Sequence, residues 1–484
     1  MGQSKLASGV RRVCVGLYIS TSAIGAGSVH ASEALLDALR AADVAGVSEA
    51  LAQADFDATV ADTDGTTALA WAVHHDMLDL SAALLAAGAP VDAANRFGIR
   101  PLYLASENGS ARMLRLLLDH GADPAMPFPE GETALMTAAR TGNVDAVAVL
   151  LEAGAQVDAQ ESWKGQTALM WAAHANNDAV LRQLIDAGAD VHLKSTSGDF
   201  TALTFAVRAG AIEATRALLD ADADVDAVMA DGTSMLVLAT TNAHYEVAGL
   251  LADRGADPNA AAQGWTALHQ IAWSRRWNRG FNLPGPARTG GLNGLDLARK
   301  LVAAGADVNA RQTAEPADGN RNKMDRIGAT PFLLAAKSCD VSLMRVLLEL
   351  GADASISTQD GTTAVMAAAG VGIWAPGENP GSHEDALAAV RLAYESGGGA
   401  VSDINDHGDT VIHGAVYRGG AVSVIEYLAG LGAPLELVNE LGWSPLIAAE
   451  GVEYTPDVLK RYPEAAATLR RLIAERAEQD GLPQ

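Results

Sequence analysis

The sequence predicts an all-α fold, a solenoid of about twelve helix-turn-helix units with hairpin-like fingers and three inserted loops. Three observations carry this. A phrase, Gly-x-Thr-Ala-Leu-x-x-Ala, keeps returning, followed further on by Leu-Leu-x-x-Gly-Ala-Asp. Its clearest copies start at Gly65, Gly131, Gly165 and Gly361, and weaker ones at Gly98, Gly198, Gly232, Gly264, Gly328, Gly408 and Gly442. From Gly65 to Gly198 successive copies lie 33 or 34 residues apart, a fixed period that marks a stacked array rather than several globular domains. The chain is 49% apolar but only 5% aromatic, which suits helices packed closely through small residues.

Each unit is justified by its residues. In the copy at Gly131, Gly131 supplies a turn and the hydroxyl of Thr133 can cap the first helix. Leu135, Ala138 and Ala139 make an apolar stripe, and Gly142 breaks the chain between helices. Val147, Leu150 and Leu151 recur at helical spacing and give the second helix a buried face. Gly154 ends that helix, and Ala155 to Ala159 run out into an extended finger. One such unit cannot bury its own face, so a row of them is required. The pair Glu33 to Leu51 lacks the phrase and reads as an N-terminal cap within residues 32–63. Glu464 to Arg476 reads as the helix of a C-terminal cap within residues 442–484, with Leu469, Leu472 and Ile473 inside.

The phrase resembles the signature of the ankyrin repeat, T-P-L-H-x-A, over nearly all of the chain from about Ser32 onward. The resemblance implies a single solenoid over residues 32–484. It also implies a binding surface for a protein partner, without naming that partner. His269 and His413 occupy the histidine of the signature, where the resemblance implies a structural role within the repeat.

The first thirty-one residues do not repeat. Lys5, Arg11 and Arg12 are followed by a mostly apolar run from Val13 to Ile24 and by Val29-His30-Ala31. This is the order of a secretory signal peptide cleaved before Ser32, so the chain is expected to be exported, periplasmic or secreted. Only Cys339 would remain after cleavage, which excludes an internal disulfide. No later segment holds eighteen uninterrupted apolar residues, so no membrane span is expected. The net charge of −25 argues against nucleic acid as a partner.

Insertions into a repeat array map to loops, where function gathers. Thr266 to Gly305 spans thirty-nine residues where the regular Thr167 to Gly188 spans twenty-one. The surplus lies around Ser274 to Asn293. A second insert lies around Gln312 to Met324, and a third at Ile373 to Glu384. The first and third interrupt the turn between two helices and emerge from one edge. The second lengthens a finger on the opposite edge. All three fall within residues 264–400. Trp273, Trp277, Phe281 and Trp374 argue for order in these loops. Arg275, Arg276, Arg279 and Arg288 are unaccompanied by an acid between Ser274 and Asn293. They either pair with neighbouring carboxylates or hold a small anionic ligand, since guanidinium suits both.

The residues seven and eight after each cap threonine face the concave groove of such a stack. They are His74, His75, Glu107, Asn108, Arg140, Thr141, His174, Ala175, Arg208, Ala209, Trp273, Ser274, Lys337, Ser338, Tyr417 and Arg418, a mixed column, more basic than acidic, and so able to select a partner that the rest of the surface repels. Trp71, Trp171 and Phe205, one turn earlier, read as core. Phe97, Trp163, Trp265 and Trp443 stand at fingertips, as contact anchors or packed on the next finger.

No metal-ligand spacing, cofactor motif or nucleophile motif is present. The aspartates and asparagines of the fingers (Asp190, Asp257, Asn259, Asp307 and Asn309) follow the repeat. The leading reading is therefore an exported scaffold that binds a protein through its groove and inserts, rather than an enzyme. The alternative is a small-molecule or catalytic site formed by Trp273–Arg279, Asn320–Arg326 and Trp374–Glu384. The candidate binding residues are Trp273, Arg275, Arg276, Trp277, Arg279, Arg326, Trp374, His383, Tyr417 and Arg418.

Overall fold

A computed structural model describes residues 28–51, 57–276, 289–316, 324–373, 380–455 and 458–479. These fall into two compact units. One holds the residues up to 138 together with 145–156, and the other holds 139–144 and everything from 157 onward. Both are built from the same short helix pairs. Of the expected signal segment, residues 1–31, residues 1–27 lie outside the described residues, and residues 28–31 begin the helix Ser28–Arg40.

The repeated threonine starts the first helix of a pair. Its hydroxyl accepts the N–H three residues on at Thr67, Thr133, Thr167, Thr330 and Thr363, and Ser234 and Ser444 do the same. Each cap satisfies one of the orphan N–H groups that open a helix. At the other end, Gly88, Gly121, Gly154, Gly188, Gly255, Gly305, Gly351 and Gly432 follow the second helix with φ between 85° and 100°. A Cβ at any of them would meet nothing within 4 Å. Conformation, not crowding, therefore selects glycine there.

In the first unit, Ser28–Arg40 and Val44–Leu51 form the opening helix pair. Leu35, Leu36 and Leu39 are buried, and Arg40 makes two bonds to Asp62 of the first finger, at 2.9 and 2.6 Å. Leu69, Leu84, Leu102, Met113, Leu114, Leu117 and Leu135 continue the core. The next finger joins the first through the Arg96 N–H to the Asp64 carbonyl at 2.8 Å.

The second unit repeats these devices many times. Adjacent fingers are joined by backbone bonds: Thr196 to Lys164, Thr313 to Gly264, Gln359 to Ile327, Asp406 to Asp360 and Glu440 to His407. Finger carboxylates and amides do the same work. Asp158 accepts from the N–H of Asp190, Asp226 from Asp257, Asn259 from Asp307 and Asn309 from Asp353. Asp190, Asp257 and Asp307 accept in turn from N–H groups of their own fingers, and no group of acids, histidines and cysteines suited to a metal occurs among the described residues. The last element is the helix Pro463–Gln479, tied back by Arg476 to the carbonyls of Ala433 and Ala429. Leu469 of that helix is buried, whereas Leu472 and Ile473 are only half-buried. Before it sits a two-stranded antiparallel hairpin, Val452–Thr455 with Val458–Lys460, for which the sequence carried no readable signal.

His269 shows how one residue serves two repeats. Its Nδ1 accepts the N–H of Thr266 at 3.1 Å, so its proton sits on Nε2, which donates to the carbonyl of Ala329 at 3.1 Å. His413 makes the same pair of bonds, to Thr410 and to the Trp443 carbonyl. The signature histidine therefore binds beyond its own repeat as well as within it. Burial pushes the His269 imidazole down to about 4, and burial lowers His413 in the same way.

Two outcomes follow. Gly188→Ala should cost about 1–2 kcal/mol, because the left-handed conformation is kept while open space gives the methyl nothing to pack on, read as a lower urea midpoint. His269 is neutral when folded, so its contribution is complete above its ordinary value of 6.5 and is lost as pH falls from there toward 4. This amounts to about 3 kcal/mol at most. Urea titrations across that range should show stability falling with pH, with a shallower slope in His269→Gln.

Candidate functional site

The ends of the first helices in the second unit build one face. Arg140, His174, Arg208 and Trp273 lie in the last turns of Ala134–Thr141, Ala168–Ala175, Ala202–Ala209 and Ala267–Arg275, and all four are exposed. Helical spacing puts an aromatic one turn before His174 and Arg208, at Trp171 and Phe205. The Arg140 guanidinium lies 5.8 Å from the centre of the Trp171 ring. The rings of His174 and Phe205 meet edge to face at 6.1 Å, and Phe200 braces Phe205 at 5.9 Å. Burial, and then the charge of Arg208, hold the His174 imidazole below its ordinary value. Phe205 is core and Trp171 is half-buried.

The same register changes character beyond Trp273, where Lys337, Ser338, Tyr417 and Arg418 are buried. Arg418 donates to the carbonyls of Ala369 and Lys337, each at 3.2 Å. It thereby caps the ends of two preceding first helices, whose last carbonyls would otherwise lack partners. The Tyr417 hydroxyl donates to Asp409 at 2.9 Å and accepts from Asn439 at 3.0 Å. Both side chains are thus bound into the stack. The sequence column reads as a groove along its length, but its described part is open only as far as Trp273.

The first insert stands on two pinned feet. On its entering side Arg275 donates to Asp340 at 2.8 and 3.3 Å, with the Asp340 side chain only 2% exposed. Arg276 lies 3.5 Å from Asp385, across the third insert. Ser274 shares a hydrogen bond with Tyr245. On its leaving side Thr289 bonds His244 at 2.9 Å, and Gly291 donates to Glu246 at 2.6 Å. Here the arginines pair with carboxylates. The second insert is closed at its neck. Gln312 and Ala329 pair through the backbone, and Arg326, buried, pairs with Glu315 through its Nε at 3.1 Å and through its own N–H.

The second insert does not keep to the opposite edge. Met324 at its end is buried with Ala329, Leu333 and Ala367 on the first-helix face. A Cβ at Gly372 would come within 2.4 Å of the Met324 Cβ, so the second insert returns against the root of the third. An apolar methionine at the end of a polar finger needs a buried place, and the small residues Ala367 and Gly372 leave one. The third insert leads into the helix His383–Glu395, where the exposed His383 reaches the Arg418 carbonyl at 3.3 Å. A Cβ at Gly381 would touch Cys339 at 3.1 Å and Arg276 at 3.3 Å. The feet of the first and third inserts therefore meet over the buried Cys339. Trp277, Arg279, Phe281, Arg288 and Trp374 lie outside the described residues, as do Asn320 to Lys323.

Sequence reasoning did not name Asp340, Asp385 or Glu315, the acids that fix these arginines. Glu315, eleven residues before Arg326 and within the second insert, was the one legible signal. At the fingertips, Phe97 in the first unit is 43% exposed under Arg96, and Trp163 in the second is 61% exposed under Lys164. Trp265 and Trp443 are half-buried. No helix among the described residues is long and apolar enough to cross a membrane.

Three stretches, residues 23–127, 125–195 and 193–262, match the family model for ankyrin repeats. The chain is 41% identical over 96 residues to cyclin-dependent kinase 4 inhibitor B of Rattus norvegicus, covering 20% of this chain and 73% of that one. It is 44% identical over 82 residues to human cyclin-dependent kinase inhibitor 2A, covering 17% and 52%. It is also 35% identical over 103 residues to a putative ankyrin repeat-containing protein of Treponema pallidum (strain Nichols), covering 21% and 35%.

Breaking the Arg275–Asp340 pair should leave a buried charge unmatched. Arg275→Ala is expected to cost about 3 kcal/mol. In a double-mutant cycle with Asp340→Asn the two losses should fall well short of adding, measured by urea unfolding.

Proposed function

The chain belongs to the ankyrin-repeat family, and from that premise we propose an exported scaffold that binds a protein partner through the first-helix face of its second unit and the inserts beside it. Ankyrin repeats generally mediate protein–protein binding, because a stack of identical frames presents an extended surface whose side chains can vary freely.

One observation carries the reading. The open run of Arg140, His174, Arg208 and Trp273 ends at repeats whose inserts are held by partly buried polar bonds at their feet. A spacer between other domains needs neither the open run nor the anchored inserts. Exposed aromatic and arginine side chains are the types that dominate binding energy in protein interfaces. Export is supported by the basic start, the apolar run and Val29-His30-Ala31 before the first repeat.

A small-ligand or catalytic site at the inserts is less well supported. Arg275 and Arg326 are matched by Asp340 and Glu315, and both nitrogens of His269 are bonded. Those groups serve the fold rather than a bound anion or a proton transfer.

The test keeps the feet and removes the loop. Residues 277–288 are replaced by a short Gly-Ser linker, sparing Arg275, Arg276 and Thr289, in a chain beginning at Ser32. Pull-downs from a periplasmic extract then compare this variant with the parent by mass spectrometry. The expected result is an unchanged helical circular dichroism spectrum and a protein retained by the parent alone. Equal capture by both chains would remove the first insert from the binding site.

A further inference from the structure

We infer that the partner segment held on this face is an acidic, aromatic- or leucine-bearing peptide lying extended from Arg140 to Trp273. This rests on the reading of the first-helix face as the partner surface and adds the chemistry of what binds there.

The argument begins with charge. The chain carries 59 acidic against 34 basic side chains, so a random stretch of surface should be acidic. At the seventh and eighth positions after the caps, the five repeats from Gly131 to Gly264 present Arg140, Thr141, His174, Ala175, Arg208, Ala209, Thr241, Asn242, Trp273 and Ser274. Not one is a carboxylate. With His174 held toward its neutral form by burial and Arg208, the charge of this row is supplied by two exposed guanidiniums. Neither Arg140 nor Arg208 is in an ion pair among the described residues, in contrast to Arg275, Arg326 and Arg254. Guanidinium left in this setting favours carboxylate, which it can grip through two parallel bonds.

The apolar component alternates with the charge. Trp171 lies beneath Arg140, Phe205 beside His174, and Trp273 closes the row. First helices in such a stack are about 10 Å apart, so Arg140 to Trp273 spans roughly 40 Å, the length of about twelve extended residues. The run stops where the register turns inward at Lys337, beside the buried cluster of Met324 with Ala329, Leu333 and Ala367. The footprint is therefore bounded on that side.

A basic, aromatic row could also stack single-stranded nucleic acid. The net charge of −25 weighs against a polyanion, whose long-range field would be repelled by the whole chain. A short peptide carrying a few carboxylates meets mainly the local field.

The test uses the full chain from Ser32 and three fluorescein-labelled probes: a twelve-residue peptide of glutamate interspersed with phenylalanine, its lysine counterpart, and a twelve-nucleotide thymidine strand. Fluorescence anisotropy is measured at low and high salt. The glutamate peptide should bind at least about tenfold more tightly than either other probe. That binding should weaken with salt and fall by about tenfold or more in Arg140→Glu/Arg208→Glu and in Trp273→Ala. All three sites are exposed, so the variants should melt like the parent, and a charge-reversal variant that does not is replaced by Arg140→Gln/Arg208→Gln. Preference for the lysine peptide or the thymidine strand overturns the inference, as does binding that survives the charge reversal. A partner captured in the pull-down but unaffected by these substitutions overturns it too, while leaving the scaffold reading intact.

Discussion

Every helix pair in this chain leaves an apolar face uncovered and several helix-end carbonyls unbonded, and only the next pair supplies both. That mutual dependence organises the rest of the structure. Asn177 donates to the carbonyls of Ala139 and Arg140, His244 to that of Arg208, and Arg418 to those of Lys337 and Ala369. In each case a side chain of a later repeat closes the end of an earlier first helix. The signature histidines and finger acids couple the opposite ends. Burial alone would permit sliding between repeats, whereas these bonds fix the register.

The inserts obey the same rule. A long loop adds backbone and polar side chains that must find partners or stay in water. At their described ends the three inserts are not appended to the stack but bonded into it, by Arg275 with Asp340, Arg326 with Glu315, His244 with Thr289 and Met324 against Gly372. Arg275 with Asp340, His244 with Thr289 and Met324 against Gly372 reach to another repeat, while Arg326 with Glu315 closes the neck of the second insert itself. Arg275 and Arg276, two of the arginines that first suggest an anion site, therefore act as fasteners, and the surface proposed for recognition is the open row before them.

The frame was legible in the sequence because it repeats. A period of 33 or 34 residues, a cap threonine and a terminal glycine are local signals, and each copy confirms the others. The placement of Phe205 in the core followed from helical spacing, and so did the exposure of Arg140, His174 and Arg208, whereas Trp171, read as core, is half-buried. What could not be read was pairing across repeats. Nothing local says that Asp340, in a turn after a cysteine, receives Arg275, or that Met324 leaves its finger for Gly372. These are contacts between segments that have no periodic relation, and they decide whether a charged residue is a ligand-binding group or a strut. The hairpin Val452–Thr455 with Val458–Lys460 escaped for the same reason, since it lies outside the repeat and is too short to show a period.

The most direct measurement is hydrogen–deuterium exchange by mass spectrometry on the full chain, alone and saturated with a captured partner. The account predicts new protection concentrated in Ala168–Ala175, Ala202–Ala209 and Ala267–Arg275, three of the four helices that carry the open row. Their capped amides should already exchange slowly in the free chain. Protection that spares all three helices and appears only at the fingertips or in the closing helix Pro463–Gln479 would contradict it.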